Sequence, residues 1–234
     1  MKIGILGIEG ISSGKVNLKD GRVDTLQKLF NAPKKVYIQF DVITEDEQLK
    51  ESDGILCPES AKLDLIVSDL EFVETRLERS NDDFEKKLLA RFKDALDKEV
   101  FLSALPLSEG ETKLISGYPL LSTKPVFLAT TSDLGDVDSL FLSAYAFFGY
   151  ISFFTAGEKD AHAWSVKKGA NAWEASGCIH SDIQKGFIRA EVVSFQDLVT
   201  DGGLSQARNN SHLRLETKDY LVQDGDYLVF RFNK

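Results

Sequence analysis

Two stretches, HSDIQKGFIRAEVVSFQDLV at 180–199 and KDYLVQDGDYLVFRFN at 218–233, decide how the chain is read. In the first, Ile188, Ala190 and Val192 alternate with Arg189 and Glu191, the period of a strand with one buried face. In the second, Asp224-Gly225 predicts a tight hairpin between 220–222 and 227–232, with Leu228, Phe230 and Phe232 inward and Arg231 outward. Just upstream, His162, Trp164 and Val166 share a strand face ahead of a Lys167-Lys168-Gly169 turn. Asn171 with Glu174 three residues on is a capping-box pattern, so a helix of about two turns is expected to close near Gly177. Strands around one short helix make 150–234 a sheet-rich module.

Toward the N-terminus the periods change. Residues 2–8 are an apolar run suited to a buried parallel strand. Val23, Leu26, Leu29 and Phe30 fall at helical spacing behind Asp20 as a cap, with Asn31 and Pro33 as a stop. Residues 35–43 read as the next strand, 54–57 as a short third one, and 124–130 as a strand with Pro125 near its start. From 59 to 99 the pattern is that of a coiled-coil-like antiparallel helical hairpin. Leu63, Ile66, Leu70, Val73 and Leu77 form one seam, and Phe84, Leu88, Phe92 and Leu96 the other. The run 140–154 is interrupted by Ser143, Gly149 and Ser152 and is too short to span a bilayer, so it reads as a buried connector. The expected division is 1–149, an α/β layer with the hairpin inserted, and 150–234.

The charge is uneven. Residues 1–149 carry 18 Lys/Arg against 26 Asp/Glu, and 150–234 carry 10 against 11, so a polyanion meets less repulsion at the C-terminal part. Two cysteines, Cys57 and Cys178, cannot staple a disulfide framework, and three histidines are too few for a metal site without carboxylates. No metal site, no membrane span and a reducing, cytoplasmic setting are expected.

Residues Phe154 to Lys159, Ala163-Trp164, Lys168 to Ala170, Ile179 to Asp182, Lys185 to Glu191, Arg214 to Glu216, Lys218 to Tyr220, Gln223 to Asp226 and Phe230 to Asn233 together resemble the TGS-type C-terminal domain of the YchF/Obg-like P-loop ATPase family. The resemblance implies a β-grasp fold, of the DUF933 type, over 150–234. Asn209-Asn210-Ser211-His212 departs from it where the family carries a Gly-Lys pair. The N-terminal part is similar to the same family at Met1 to Gly7, Asp20 to Leu26, Lys34 to Ile43, Ser60 to Arg79 and Lys124 to Ala129. What it implies there is a reduced, P-loop-like α/β layer, since only about ten residues stand where the family has a P-loop, its helix and a switch region.

Ser13-Gly14-Lys15 is the one trace of a phosphate loop. A Walker A motif would need Gly at 9 and Ser or Thr at 16, and the chain has Glu9 and Val16. Glu9 sets negative charge against a polyphosphate, and Val16 offers no oxygen to Mg²⁺. Asp41 stands where the resemblance implies a Walker B carboxylate, without the following glycine, and Asp133 where it implies a base-recognition segment. Lys15, Asp41 and Asp133 are therefore vestigial nucleotide-binding candidates, and no cofactor is expected.

Adjacent residues such as His180-Ser181-Asp182 rarely aim at one point, so a turn is expected there rather than a triad. Cys178, Trp164 and Trp173 read as core residues. Lys185, Arg189, Arg214, Lys218 and Arg231 are the candidate anion-binding set, with salt bridges to Glu191, Glu216, Asp219 or Asp226 as the competing role. The reading that follows is a non-catalytic YchF-related protein whose C-terminal domain binds RNA, the ribosome or a translation-associated partner. The alternatives are a residual ATP or GTP hydrolase using Mg²⁺, and an adaptor that docks a protein partner through the hairpin.

Overall fold

A computed structural model describes residues 1–233 as a mixed α/β fold with two sheets and flanking helices. The chain divides into two compact units, neither continuous in sequence: Met1–Val16 with Phe40–Leu140, and Asn17–Gln39 with Phe141 onward. The segment 17–39, which its place in the sequence puts with the N-terminal layer, therefore belongs by its contacts to the C-terminal unit.

The first sheet has the order β2-β4-β1-β5-β6, from β1 (Lys2–Ile5), β2 (Gly14–Leu18), β4 (Ile38–Ile43), β5 (Gly54–Pro58) and β6 (Val126–Ala129). β1 lies parallel to both β4 and β5, and β5 parallel to β6. Strand β2 is absent from the sequence reading because only Leu18 of its residues is buried, so its pattern carries no apolar period.

Helices α2 (Lys62–Arg79) and α3 (Asp83–Asp97) form the expected hairpin, with Asp82 accepting from the backbone of Phe84 and Glu85 as the cap of α3. Ile66, Val73, Leu88, Phe92 and Leu96 are buried in its core, together with Leu89, Ala95, Leu102 and Leu120. Leu63 and Phe84, the first residue of each expected seam, are exposed instead. A third helix, α4 (Glu109–Ile115), starts at a capping box between Ser108 and Glu111.

Two buried carboxylates hold this unit in ways the sequence did not announce. Asp69 accepts from the backbone N–H groups of Leu121 and Ser122 at 3.0 and 2.8 Å, and burial pushes its pKa up. Glu85 accepts from Ser80, Tyr118 and Arg76, and these hydrogen bonds hold its carboxyl down to about 2. The unfolded chain takes a proton on Glu85 near the ordinary glutamate value of 4.5 while the folded chain still refuses it. Stability is therefore present above that pH and falls as the pH drops from 4.5 toward 2. Glu85→Gln is expected to flatten that part of a pH–stability curve measured by circular dichroism, and an unchanged slope would show that other carboxylates set it.

The second sheet has the order β10-β9-β11-β7-β8-β3. Its members are β3 (Lys35–Val36), β7 (Tyr150–Ala156), β8 (Ala161–Lys167), β9 (Phe187–Ser194), β10 (Arg214–Glu216) and β11 (Asp226–Phe232). β7 and β8 are an antiparallel pair, β11 runs parallel to β7 and antiparallel to β9, and β3 adds parallel to β8.

Helix α6 (Ala172–Ile179), opened by the Asn171–Glu174 capping box, buries Ala172 and Ala175 in a core with Ile151, Phe153, Ala190, Val192 and Leu228. Val23 and Leu26 of helix α1 (Gly21–Leu29) are fully buried. Phe30 stacks on Tyr227 at 5.3 Å, and Arg22 lies 4.9 Å over the ring of Phe154. One face of the sheet thus carries α6, and the face bearing Phe154 and Tyr227 carries α1.

Two expectations give way here. Asp224-Gly225 does turn the chain, with Gly225 at φ 90°, but no hairpin joins 220–222 to 227–232. The Gly225 N–H donates to Ser152 O, Leu221 bridges Asn171, and β11 inserts between β9 and β7. The expected connector is also a helix, α5 (Val137–Phe147); its apolar composition hid the helical period. Among the described residues no helix is long and apolar enough to cross a membrane.

Candidate functional site

The carboxyl ends of parallel strands are where α/β sheets bind ligands, so a nucleotide would meet the loop 6–13 after β1. That loop, turned at Gly7 (φ 69°) and Gly10 (φ 81°), leads into strand β2. A phosphate loop instead leads into a helix, whose N-terminal N–H groups cradle the anion. Gly14 and Lys15 open β2, with Lys15 exposed. Ser13 Oγ lies 2.7 Å from both Thr44 Oγ1 and the carboxylate of Glu45, and accepts from Thr44 N at 3.0 Å. The hydrogen bond from Ser13 lowers the Glu45 pKa, keeping a negative charge at the loop.

Asp41 is register partner to Lys2, whereas the loop begins at Leu6. Four residues of strand, about 13 Å, separate those levels. Asp133 Oδ2 is occupied by Thr130 N at 2.8 Å and Thr130 Oγ1 at 2.7 Å, closing a turn after β6. The residues present do not fit a nucleotide with Mg²⁺ in this crevice.

The candidate cations of the C-terminal unit sort differently. Arg189 on β9 and Arg231 on β11 are direct cross-strand partners. The Arg231 Nε donates to Glu191 Oε1 at 3.0 Å, with its terminal nitrogen on the same oxygen, and Arg208 of helix α9 (Leu204–Asn209), which follows α8 (Phe195–Thr200), lies 3.5 Å from the other oxygen. Glu191 itself is buried, while the side chains of Arg231 and Arg208 are more than half exposed. The Arg189 side chain is exposed and makes no hydrogen bond or ion pair among the described residues.

Arg214 is not part of this cluster. Its register partner is Val192, so it points to the opposite face, where it reaches Glu216 at 3.4 Å and lies over the Tyr220 ring at 5.2 Å. Lys185 ends helix α7 (Ser181–Lys185) beside Gly186 and Phe232, and Lys218 is exposed in the turn before Tyr220. Of the five expected cations the structure brings together two, and supplies Arg208, which sequence alternation could not place because it comes from a helix.

Other expectations meet the same test. Asp182 N donates to His180 Nδ1 at 3.1 Å, so His180 caps a short helix, α7, where the sequence suggests a turn. Cys178 and Trp173 are exposed rather than buried, since both lie on the outer side of α6. Cys57 is buried, which pushes its thiol up to about 11.

The histidines have opposite environments. His162 stacks on Trp164 at 3.7 Å, and burial lowers its pKa. His212 pairs with Asp201 at 2.7 Å, which raises its pKa. The unfolded chain protonates His162 first, so this residue costs stability as the pH falls through about 6.5. His212 adds stability below that value, lost as the pH rises through its own raised pKa. An NMR titration is expected to show the His212 midpoint above 6.5 and the His162 midpoint below it, and coincidence of these two midpoints would refute the pair of environments.

Residues 150–233 match the family model YchF-GTPase_C, described as a protein of unknown function (DUF933). The ribosome-binding ATPase YchF of Bacillus subtilis is 31% identical over an alignment of length 240, covering 75% of this chain and 66% of that protein. Its namesake from Haemophilus influenzae is 47% identical over 91 residues, 39% of this chain and 25% of that protein. This chain thus spans about two thirds of the first relative and matches a quarter of the second. The fold of a YchF GTPase from Schizosaccharomyces pombe superposes with a TM-score of 0.73 at 17% identity, covering 99% of this chain and 97% of that one. The match across both units, strongest over the sheet that carries Arg189 and Arg231, shows that the chain belongs to the YchF family.

Proposed function

We propose that this chain is a translation-associated, cytoplasmic RNA-binding protein that engages the ribosome through its second sheet, and that its first unit acts as scaffold without nucleotide hydrolysis. The observation that carries the RNA reading is the pair Arg189 and Arg231, facing each other across two strands at the surface with Arg189 unpartnered among the described residues. Like charges directly opposite destabilise a sheet, and an external polyanion relieves that repulsion. The relatives named as ribosome-binding supply the class of polyanion. In support of a β-grasp, TGS-like module, β7 and β11 run parallel at the centre of the order β9-β11-β7-β8, with α6 packed on one face.

For the first unit, the support is the loop chemistry. Gly14 and Lys15 lie in a strand, Val16 offers no oxygen, and Glu45 holds Ser13. Isothermal calorimetry with Mg²⁺-ATP and Mg²⁺-GTP at millimolar concentration is expected to give no heat of binding. A saturable signal would overturn the scaffold role and leave the RNA reading intact. The RNA reading itself is tested by co-sedimentation of the full chain with ribosomes. Wild type is expected in the pellet, and Arg189→Ala/Arg231→Ala in the supernatant; equal pelleting of the two, or of neither, would remove this face.

A further inference from the structure

A cross-strand pair of arginines is a charged patch; what sets this one apart is the acid buried beneath it. Glu191 lies in the middle of β9, and alternation places it on the same face as Arg189, two residues away. One carboxylate oxygen takes Arg231, and the second faces Arg208 from α9. Its register partner on β10 is Leu215, and on β11 Val229, so no other acid stands opposite it on the neighbouring strands. Three guanidinium groups and one carboxylate leave a local charge of about +2, and only the carboxylate is buried. Such an arrangement fixes long side chains that would otherwise sample many rotamers, and holds two planar forks at a set spacing beside a third.

We infer that Glu191 is a positioning residue, holding Arg231 and Arg208 beside Arg189 as a three-point site for the phosphodiester backbone of RNA. The inference rests on the RNA-binding reading above and sharpens it in two respects. The recognised element is the backbone phosphate, because guanidinium forks match phosphate oxygens in pairs. Arg208, from outside the sheet, is a binding residue in its own right.

The inference makes a prediction opposite to that of charge alone. Glu191→Gln keeps the shape of the side chain and adds one positive charge, so a face that works by net charge binds an anion more tightly. A preset site binds less tightly, because the amide accepts from one guanidinium and turns N–H groups toward the other. Fluorescence anisotropy of the full chain with a fluorescein-labelled uridine-rich RNA oligonucleotide reads this directly. Glu191→Gln is expected to weaken binding roughly three- to tenfold, as for loss of one hydrogen bond of ordinary net strength. Arg208→Ala is expected to reduce the slope of log affinity against log salt by about 1.

Thermal melts of each variant establish that the sheet is intact, and Arg208→Lys, which keeps the charge without the fork, is expected to restore the salt slope but not the full affinity. Tighter binding by Glu191→Gln, or an unchanged salt slope in Arg208→Ala, would overturn the positioning role while wild-type binding upholds the RNA reading. Absence of binding by wild type to this RNA and to ribosomes would overturn both.

Discussion

Arg22→Ala is expected to destabilise the C-terminal unit by about 2–3 kcal/mol, less than the roughly 3–5 of a fully buried pair because the guanidinium is part exposed. Arg22 donates to Asp20 at 2.7–3.0 Å and to Asp224 at 2.7 and 3.3 Å, and lies over Phe154. Asp20 is buried and also caps α1 through Arg22 N, while Asp224 accepts from Ser152 N at 2.9 Å. Removing the cation leaves two carboxylates facing each other, one of them without solvent. Both tryptophans, Trp164 and Trp173, lie in this unit, so urea unfolding followed by tryptophan fluorescence reports on it selectively. A shift below about 0.5 kcal/mol would mark Arg22 as an ordinary surface ion pair.

Phe92→Ala is expected to cost the helical hairpin about 3–5 kcal/mol. Phe92, on α3, is fully buried in the cluster that holds Ile66, Val73 and Leu88, so its loss removes a whole ring from a packed core. Circular dichroism at the helix band is expected to lose its cooperative transition at lower urea, with the tryptophan transition displaced less. A fluorescence shift as large as the helical one would show that the two units unfold as one.

How much of this was legible depends on how far each feature reaches. The α6 capping box, the Asp20 cap and the hairpin core at Ile66, Val73, Leu88 and Phe92 are local, set by spacing within one or two turns, and sequence reading finds them. The cross-strand placement of Arg189 and Arg231 also follows from alternation, given that β9 and β11 are neighbours. What sequence could not supply is long-range. Asp224-Gly225 carries a hairpin signal, but its N–H and carbonyl groups are claimed by Ser152 and Phe195, far away in sequence. Arg208 reaches Glu191 only because α9 folds back over β9. Asp69 and Glu85 look like ordinary helix-surface acids until their partners at 118–122 are in place.

The segment 17–39 has a consequence in time. During synthesis α1 leaves the ribosome about 120 residues before β7, the first strand it will cover, and about 200 before β11. At about 5–20 residues per second that is a wait of roughly 6–24 s for β7 and 10–40 s for Tyr227 of β11, in which Val23, Leu26 and Phe30 have no surface to bury. Everything between, 40–140, can fold in the interval, but the second unit closes only when β11, at the end of the described chain, has been made. A newborn chain therefore carries an amphipathic helix with its apolar face uncovered, a natural client for a chaperone, and pulse-labelled ribosome-bound chains should stay protease-sensitive at 17–39 until β11 emerges.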